Sequence, residues 1–140
     1  MQIREIQLGD KEEFIKIMKE SGYVDGYSDE SIERFVEKDQ NIIYIGAFVE
    51  GEIVGIVSLT FGNSSYKLSP FAWCDDVYVK NSHRKMGIGR QLLKKAEEIS
   101  RAKNCSNILL GVGEDEQEAI TFYRKAGFKD MKCRLMTLPF

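Results

Sequence analysis

The stretch from Val77 to Leu93 leaves this chain few ways to fold. Valines at 77 and 79 alternate as in a strand with both faces covered. A short polar connection follows, then Gly87 and Gly89, then Leu92, Leu93, Ala96 and Ile99 at helical spacing. The two glycines therefore fall where a helix begins, with no side chain to hold a ligand off the backbone. The first turn of a helix carries amide N–H groups without partners and about half a positive charge. Arg84, Lys85 and Arg90 bracket that spot. Strand, glycine turn and helix together make a candidate cradle for a pyrophosphate.

Two better-known phosphate loops do not fit. A Walker loop, G-x-x-x-x-G-K-S/T, needs Lys followed by a hydroxyl residue, and neither follows Gly89. The dinucleotide fingerprint needs a third glycine where this chain has Leu92. The plain alternative is an ordinary strand-to-helix connection.

A chain of 140 residues is one domain's worth, so 1–140 is read as a single domain. A net charge of −2 gives no global pull toward nucleic acid or an anionic membrane. Residues 80–103 nevertheless carry eight Lys or Arg against two Glu, and residues 25–39 six acids against two bases. A polyanionic cofactor beside a rim for a cationic substrate would produce that asymmetry, as would solvated helix faces. Cys74, Cys105 and Cys133 lack metal-site spacing, and His83 is the single histidine, so no metal is expected. Without a signal-like N-terminus or a bilayer-length apolar run, the expectation is a cytoplasmic protein with reduced thiols.

The chain reads as β-α-α-β-β-β-α-β-α-β(-β). Ile3 to Leu8 is a first strand. Asp10 caps a helix burying Phe14, Ile17 and Met18, with Glu13 as its capping partner. Ser28 caps a second helix carrying Ile32, Phe35 and Val36, closed by Asp39-Gln40-Asn41. Strands at 42–49 and 53–61 flank Glu50-Gly51-Glu52, and a turn is expected at 62–65. The strand of residues 71–80, a helix over 87–103, a strand at 108–112, a helix from the acidic run Glu114-Asp115-Glu116 to Gly127, and one or two terminal strands complete the order.

Val77-x-Val79 through Arg84-x-x-Gly87-Ile88-Gly89-x-x-Leu92 resembles the acetyl-CoA-binding signature of the GNAT superfamily of N-acetyltransferases. Ala119-x-x-x-Tyr123-x-x-x-Gly127-Phe128 is similar to that family's second block, in the right order about 30 residues on. The resemblance implies an α/β (α+β mixed) fold: a central mixed, mostly antiparallel sheet of six to seven strands with about four helices on its two faces. It implies an enzyme that joins acetyl-CoA and an amine in a ternary complex, the amine attacking the thioester directly. A non-catalytic acyl-CoA-binding or sensor module is the alternative. Homodimers are common in the family, and no residue here demands one.

The chemistry sets requirements. A lysine-like amine with pKa ~10.4 is free in only roughly one molecule in 2,500 at pH 7, a handicap of about 4.6 kcal/mol unless a proton is removed. By resemblance, Tyr123 protonates the departing thiolate; by spacing alone it is equally a core aromatic. Alternation puts Asp75 on the face of Trp73, Val77 and Val79, and Asp76 with Cys74 and Tyr78. The resemblance, in which family members often place a base on this strand on the face of the valines, favours Asp75 as the base, through a water if need be, with Glu114, Glu116 or no single base as alternatives. The resemblance further implies cofactor contacts from Val77 N–H, Tyr78, Val79 and the segment Arg84, Lys85, Met86, Gly87, Ile88, Gly89 and Arg90, with Tyr123 nearby. Glu116 stands where many family members have an asparagine touching the pantetheine arm, and its carboxylate cannot copy the amide's donor role. His83 reads as a surface loop histidine.

Overall fold

The computed structural model describes residues 1–38 and 41–140. Its elements are β1 (Gln2–Glu5), α1 (Lys11–Ser21), α2 (Asp29–Lys38), β2 (Ile42–Val49), β3 (Glu52–Ser64), β4 (Ser69–Val79), α3 (Ile88–Ala102), β5 (Ile108–Leu109) and α4 (Gln117–Lys125), with single 3-10 turns at Leu8–Asp10 and Asn81–His83. The five strands lie in sequence order, antiparallel from β1 to β4, with β5 parallel to β4. The fold is mixed α/β, and the sheet is mostly antiparallel as expected.

Each face of the sheet has its own core. Phe14, Ile17 and Met18 of α1 and Ile32 of α2 pack with Tyr44, Phe48, Ile53 and Ile56 on one side. Leu92, Leu93 and Ala96 of α3 pack with Ile45, Val57, Leu59, Ala72 and Cys74 on the other, joined by Phe122, Tyr123 and Ala126 around α4. Ile17 and Leu92 are fully buried. Truncating either to alanine removes about 2–5 kcal/mol of stability.

Local chemistry explains most boundaries. Ser28 Oγ accepts the Ser31 N–H (3.2 Å), the cap expected for α2. Asp10 precedes α1 but does not cap it. Its carboxylate is held by the Arg4 guanidinium (2.7 and 2.9 Å) and the Gln7 N–H (2.8 Å), and Glu13 binds Lys16 instead. A bidentate charged partner outbids a backbone amide. The β2–β3 turn needs only Glu50 and Gly51, both at positive φ, and Val49 pairs with Glu52. The turn expected at 62–65 belongs to the ladder, because Gly62, Asn63 and Ser64 pair with Phe71, Pro70 and Ser69. The close of α2 at Asp39-Gln40, and the Phe35 and Val36 side chains, lie outside the described residues.

Two expectations about strands require correction. The sheet has five strands rather than six or seven, because residues 128–140 form no strand. The strand expected over 108–112 shrinks to Ile108–Leu109, bridged to Ala72 and Trp73, and the chain departs at Gly111 where the Trp73 ring lies alongside. The acidic run expected to open α4 forms a turn ahead of it, with Glu116 N–H bonded to Gly113 C=O (3.0 Å).

Candidate active site

The short β5 opens the site. β5 bonds to β4 only at Ala72 and Trp73, so Cys74–Val79 has no strand on that side. Lys80 N–H donates to Val54 C=O (2.9 Å), which places Tyr78 among the residues bonded to β3 and turns the polar groups of Val77 and Val79 toward the gap. Two of those groups already have partners. The Tyr23 hydroxyl donates to Val77 C=O (3.0 Å), and Arg84 Nε donates to Val79 C=O (2.9 Å). The Val77 and Val79 N–H groups are left for an extended ligand, which can add there like a strand.

The gap is a cleft of about 880 Å³, lined at its inner end by Val77, Val79 and Tyr123 and at its outer end by Arg84, Lys85, Gly87, Ile88, Gly89 and Arg90. Tyr78, Tyr23, His83 and Glu116 also line it. Met86, in the same connection, is exposed. The two glycines serve different needs. Gly87 has φ +80 with open space around it, so it is required for backbone conformation. Gly89 sits where a Cβ would lie 3.0 Å from the Phe122 ring, so it lets α3 and α4 approach. Lys85 also takes a left-handed φ, +61. The connection thus arrives at the first turn of α3 with its amides pointing outward, beside three cationic side chains. The Arg84 guanidinium reaches back to Val79 and lies over the Tyr78 ring (5.7 Å), and its N–H donates to Asn81 C=O (3.4 Å), so the open amides of the cradle begin after Arg84.

Tyr123 reaches the cleft from α4, between the rings of Phe122 (5.3 Å) and Phe128 (5.7 Å). Burial pushes its phenol up to about 12, with Cys74, Tyr23 and Glu116 adding to the rise. It therefore stays protonated through the neutral range. Cys74, wholly inside the core, is pushed up to about 12 by burial and is inert as a nucleophile. The Glu116 carboxylate accepts the Gly113 N–H (2.8 Å), so the side chain shapes the turn before α4 while facing the cleft.

The expected division of Asp75 and Asp76 between faces does not hold, because a β-bulge intervenes. Tyr78 pairs with Ile56 and Asp75 with Ser58, leaving Asp76 and Val77 together opposite Val57. Asp76 has φ +53, rare for a residue with a side chain. Past the bulge, Val77 and Val79 pack with Cys74 in the α3–α4 core, and Tyr78 turns to the α1–α2 core. Strict alternation across Asp75 would have required the opposite.

The two acids now differ in surroundings. Asp75 is exposed and accepts the Trp73 Nε1–H (3.0 Å). Asp76 is half-buried and accepts the Ser58 hydroxyl (3.0 Å). Burial raises the Asp76 carboxyl above the usual range, against the Ser58 bond, with Asp75 adding to the rise. By resemblance, Tyr23 was expected, with Asp25 and Tyr27, only as part of a loop that shapes the acceptor site. It comes from the loop between α1 and α2, 54 residues from Val77, and packs edge-on against Tyr78 (6.3 Å). Burial and then the negative charges of Asp76 and Glu116 raise its phenol. Tyr78 donates to Glu20 (3.3 Å). Two tyrosines and two acids thus stand where α1 and its following loop meet β4. The aromatic and acidic content of residues 23–27 was the one sequence signal for this wall.

Among the described residues no group of three or more His, Cys, Asp or Glu side chains could hold a metal ion. No helix among them is long and apolar enough to cross a membrane.

The sequence profile of the acetyltransferase (GNAT) family matches residues 4–128. The chain is 26% identical to a spermidine N(1)-acetyltransferase of Thermoplasma acidophilum, over 92% of this chain and 88% of that protein. It is 32% identical to a thialysine N-epsilon-acetyltransferase of Bos taurus over 56% of this chain, spanning 46% of that protein. The structure superposes on a ribosomal-protein-alanine N-acetyltransferase from Brucella melitensis biovar Abortus 2308 with a TM-score of 0.86 at 18% identity, covering 100% of both chains.

Proposed function

The chain belongs to the GNAT acetyltransferase family, and on that footing we propose that it moves the acetyl group of acetyl-CoA to the primary amine of a small basic acceptor by direct attack. The observation that carries this reading is the unpaired edge of β4, which runs from the Val77 and Val79 N–H groups straight to the first turn of α3 with Tyr123 alongside. A long ligand with an extended amide-bearing arm and a pyrophosphate fits that path. The residues present suit acetyl-CoA: Val79 N–H for the arm, Val77 N–H for the acetyl carbonyl, and the amides from Lys85 to Arg90, beyond the Arg84 N–H that Asn81 C=O holds, for the pyrophosphate.

When bound, acetyl-CoA supplies an activated acyl group and a thiolate leaving group. Each remaining task falls to a residue of this chain. Val77 N–H donates to the oxygen on which negative charge develops. The Tyr123 hydroxyl, kept protonated by burial, donates a proton to the departing sulfur. Asp76 takes the proton of the amine, through water, in place of Asp75. Its burial raises its basicity, whereas Asp75 is exposed and engaged by Trp73. Tyr23, fixed on Val77 C=O, aligns the acceptor side of the cleft with the acetyl position.

The acceptor class follows from the wall it meets. Tyr23, Tyr78, Glu20 and Asp76 offer aromatic faces and negative charge, which suit an ammonium group. The relatives named above for spermidine and thialysine act on basic amines of that kind. A reducing cytosolic setting suits three free thiols.

The test is thiol release from acetyl-CoA across a panel holding spermidine, thialysine, free lysine and an alanine-ended peptide. Release confined to the small basic amines, rising with pH as they deprotonate, is the expected result. Release with the peptide alone would sink the acceptor assignment. Tight acetyl-CoA binding without release for any amine would favour the non-catalytic binder.

A further inference from the structure

The cleft stops abruptly at its inner end. Of β4 it is lined by Val77, Tyr78 and Val79 and by no residue before them. Tyr23 and Tyr123 both line that stop, one from the loop after α1 and the other from α4. The two phenols are close enough for the charge of Tyr23 to act on Tyr123. Tyr23 is tied at both ends. Its N–H donates to Ser21 Oγ (3.3 Å), which itself donates to Met18 C=O (2.6 Å), and the chain leaves α1 through Gly22 at φ +78. Val24, the next residue, packs into the α1–α2 core, and the Tyr23 hydroxyl donates to Val77 C=O (3.0 Å). Little rotamer freedom remains, so the ring is a wall rather than a loose cover.

Resting on the reading of the cleft as an acetyl-CoA site, we propose that Tyr23 fixes the length of the acyl group this protein accepts, admitting two carbons and excluding four or more. Val77 joins the wall to the acyl group. On that reading its N–H meets the acyl oxygen, while its C=O holds Tyr23. The N–H and C=O of one strand residue point the same way, no more than about 4 Å apart. The acyl carbon is trigonal: its oxygen points at β4, and its sulfur leads back along the strand toward Val79. The alkyl chain is left the third direction, onward past Val77. Asp76, the residue before Val77, is the acid whose charge acts most strongly on Tyr23, so the phenol stands on that onward side. Behind it Asp76 is held in its left-handed bulge by Ser58 and gives no room. Trp73 lies farther on, with its Nε1–H on Asp75, and does not line the cleft. A longer chain therefore has to break Tyr23 from Val77 and shift its ring. Each methylene without room costs a factor of about ten or more in affinity.

The test is calorimetric titration of the full chain with acetyl-CoA, propionyl-CoA and butyryl-CoA, which needs no acceptor amine. The wild type is expected to bind butyryl-CoA about 30-fold more weakly than acetyl-CoA, with propionyl-CoA between them. Tyr23→Phe keeps the ring and should keep that ratio within about twofold. Tyr23→Ala removes the ring and should bring the ratio below about threefold, by tightening butyryl-CoA rather than by weakening acetyl-CoA. Tyr23→Trp enlarges the wall and should push propionyl-CoA down to the level of butyryl-CoA, an opposite change that serves as a second readout. Equal binding of the three thioesters by the wild type would overturn the proposal. So would an unchanged ratio in Tyr23→Ala, or an equal loss of affinity for all three, which would make Tyr23 a support for the arm instead of a limit on the acyl chain. Failure of the wild type to bind any thioester would sink the acetyl-CoA reading and this inference with it, whereas equal binding would sink the inference alone.

Discussion

The two ends of the cleft are built from different materials. The outer end, from Arg84 to Arg90, is backbone: amides at the start of α3, a left-handed Gly87, and a Gly89 pressed against Phe122. The α1 side is made of side chains: Tyr23 bonded to Val77 and Tyr78 bonded to Glu20 line the cleft there, and Asp76, bonded to Ser58, lies near Tyr23 outside its lining. A backbone site tolerates changes of side chain and fails when a glycine gains one. A side-chain site has the opposite weakness. On the function proposed above, binding of the acyl donor would rest on the robust half, and the choice of acceptor on the half that substitution can easily retune.

The sharpest break of this comparison comes from Tyr123→Phe, which removes one oxygen from the inner end. Turnover is expected to fall about 100-fold or more, with acetyl-CoA affinity by calorimetry within about twofold. A similar loss in both would make Tyr123 a packing residue. Next in size, Asp76→Asn should lower kcat/KM for the amine about 30-fold, while Asp75→Asn changes it less than about threefold. The reverse ranking would return the base to Asp75. Gly89→Val puts a side chain into the Phe122 ring and should weaken acetyl-CoA binding about tenfold while costing about 1–3 kcal/mol of stability. By contrast Met86→Ala, a truncation in the same loop, should change that affinity less than about twofold, since its side chain is exposed and does not line the cleft. Tyr23→Phe loses one hydrogen bond, about 1 kcal/mol, and should raise the KM for the amine about fivefold without touching acetyl-CoA affinity.

The smallest effect is on stability. Because Asp76 holds its proton to higher pH when folded than when unfolded, its contribution is complete below its ordinary value of 3.8 and declines as pH rises through the folded value. Asparagine has no charge to strand there and tolerates a left-handed φ. Thermal unfolding of Asp76→Asn should match the wild type near about pH 4 and exceed it by about 3 °C near about pH 8. A less stable variant at both would mean the Ser58 bond outweighs the burial of charge.

The same division governs what the sequence could disclose. Gly87, Gly89 and the following Leu92-Leu93 mark the cradle within a few residues of one another, so spacing alone located it. The face of Asp75 was misjudged because a bulge depends on how β3 and β4 mesh: Ser58 and Ile56 set it, about 20 residues upstream. Tyr23 was legible as part of an acceptor-side loop, but its bond to Val77 was out of reach for a related reason, since that partner lies 54 residues away and only the packing of α1 on the sheet brings them together. The five-strand sheet was legible up to β4, where hairpins carry the chain to its neighbour. It was overdrawn afterwards, because the alternation in residues 131–135 states an appetite for pairing without naming a partner.

The ladder between β4 and β5 has one last consequence. Two bridged pairs, Ala72 with Ile108 and Trp73 with Leu109, and the Ser106 N–H to Pro70 C=O bond (2.9 Å) tie the final strand to β4. With so few backbone bonds across that seam, the place of Tyr123 beside β4 rests on side-chain packing, Phe122, Tyr123 and Ala126 against the core of α3, and a change of volume there displaces the hydroxyl from the cleft.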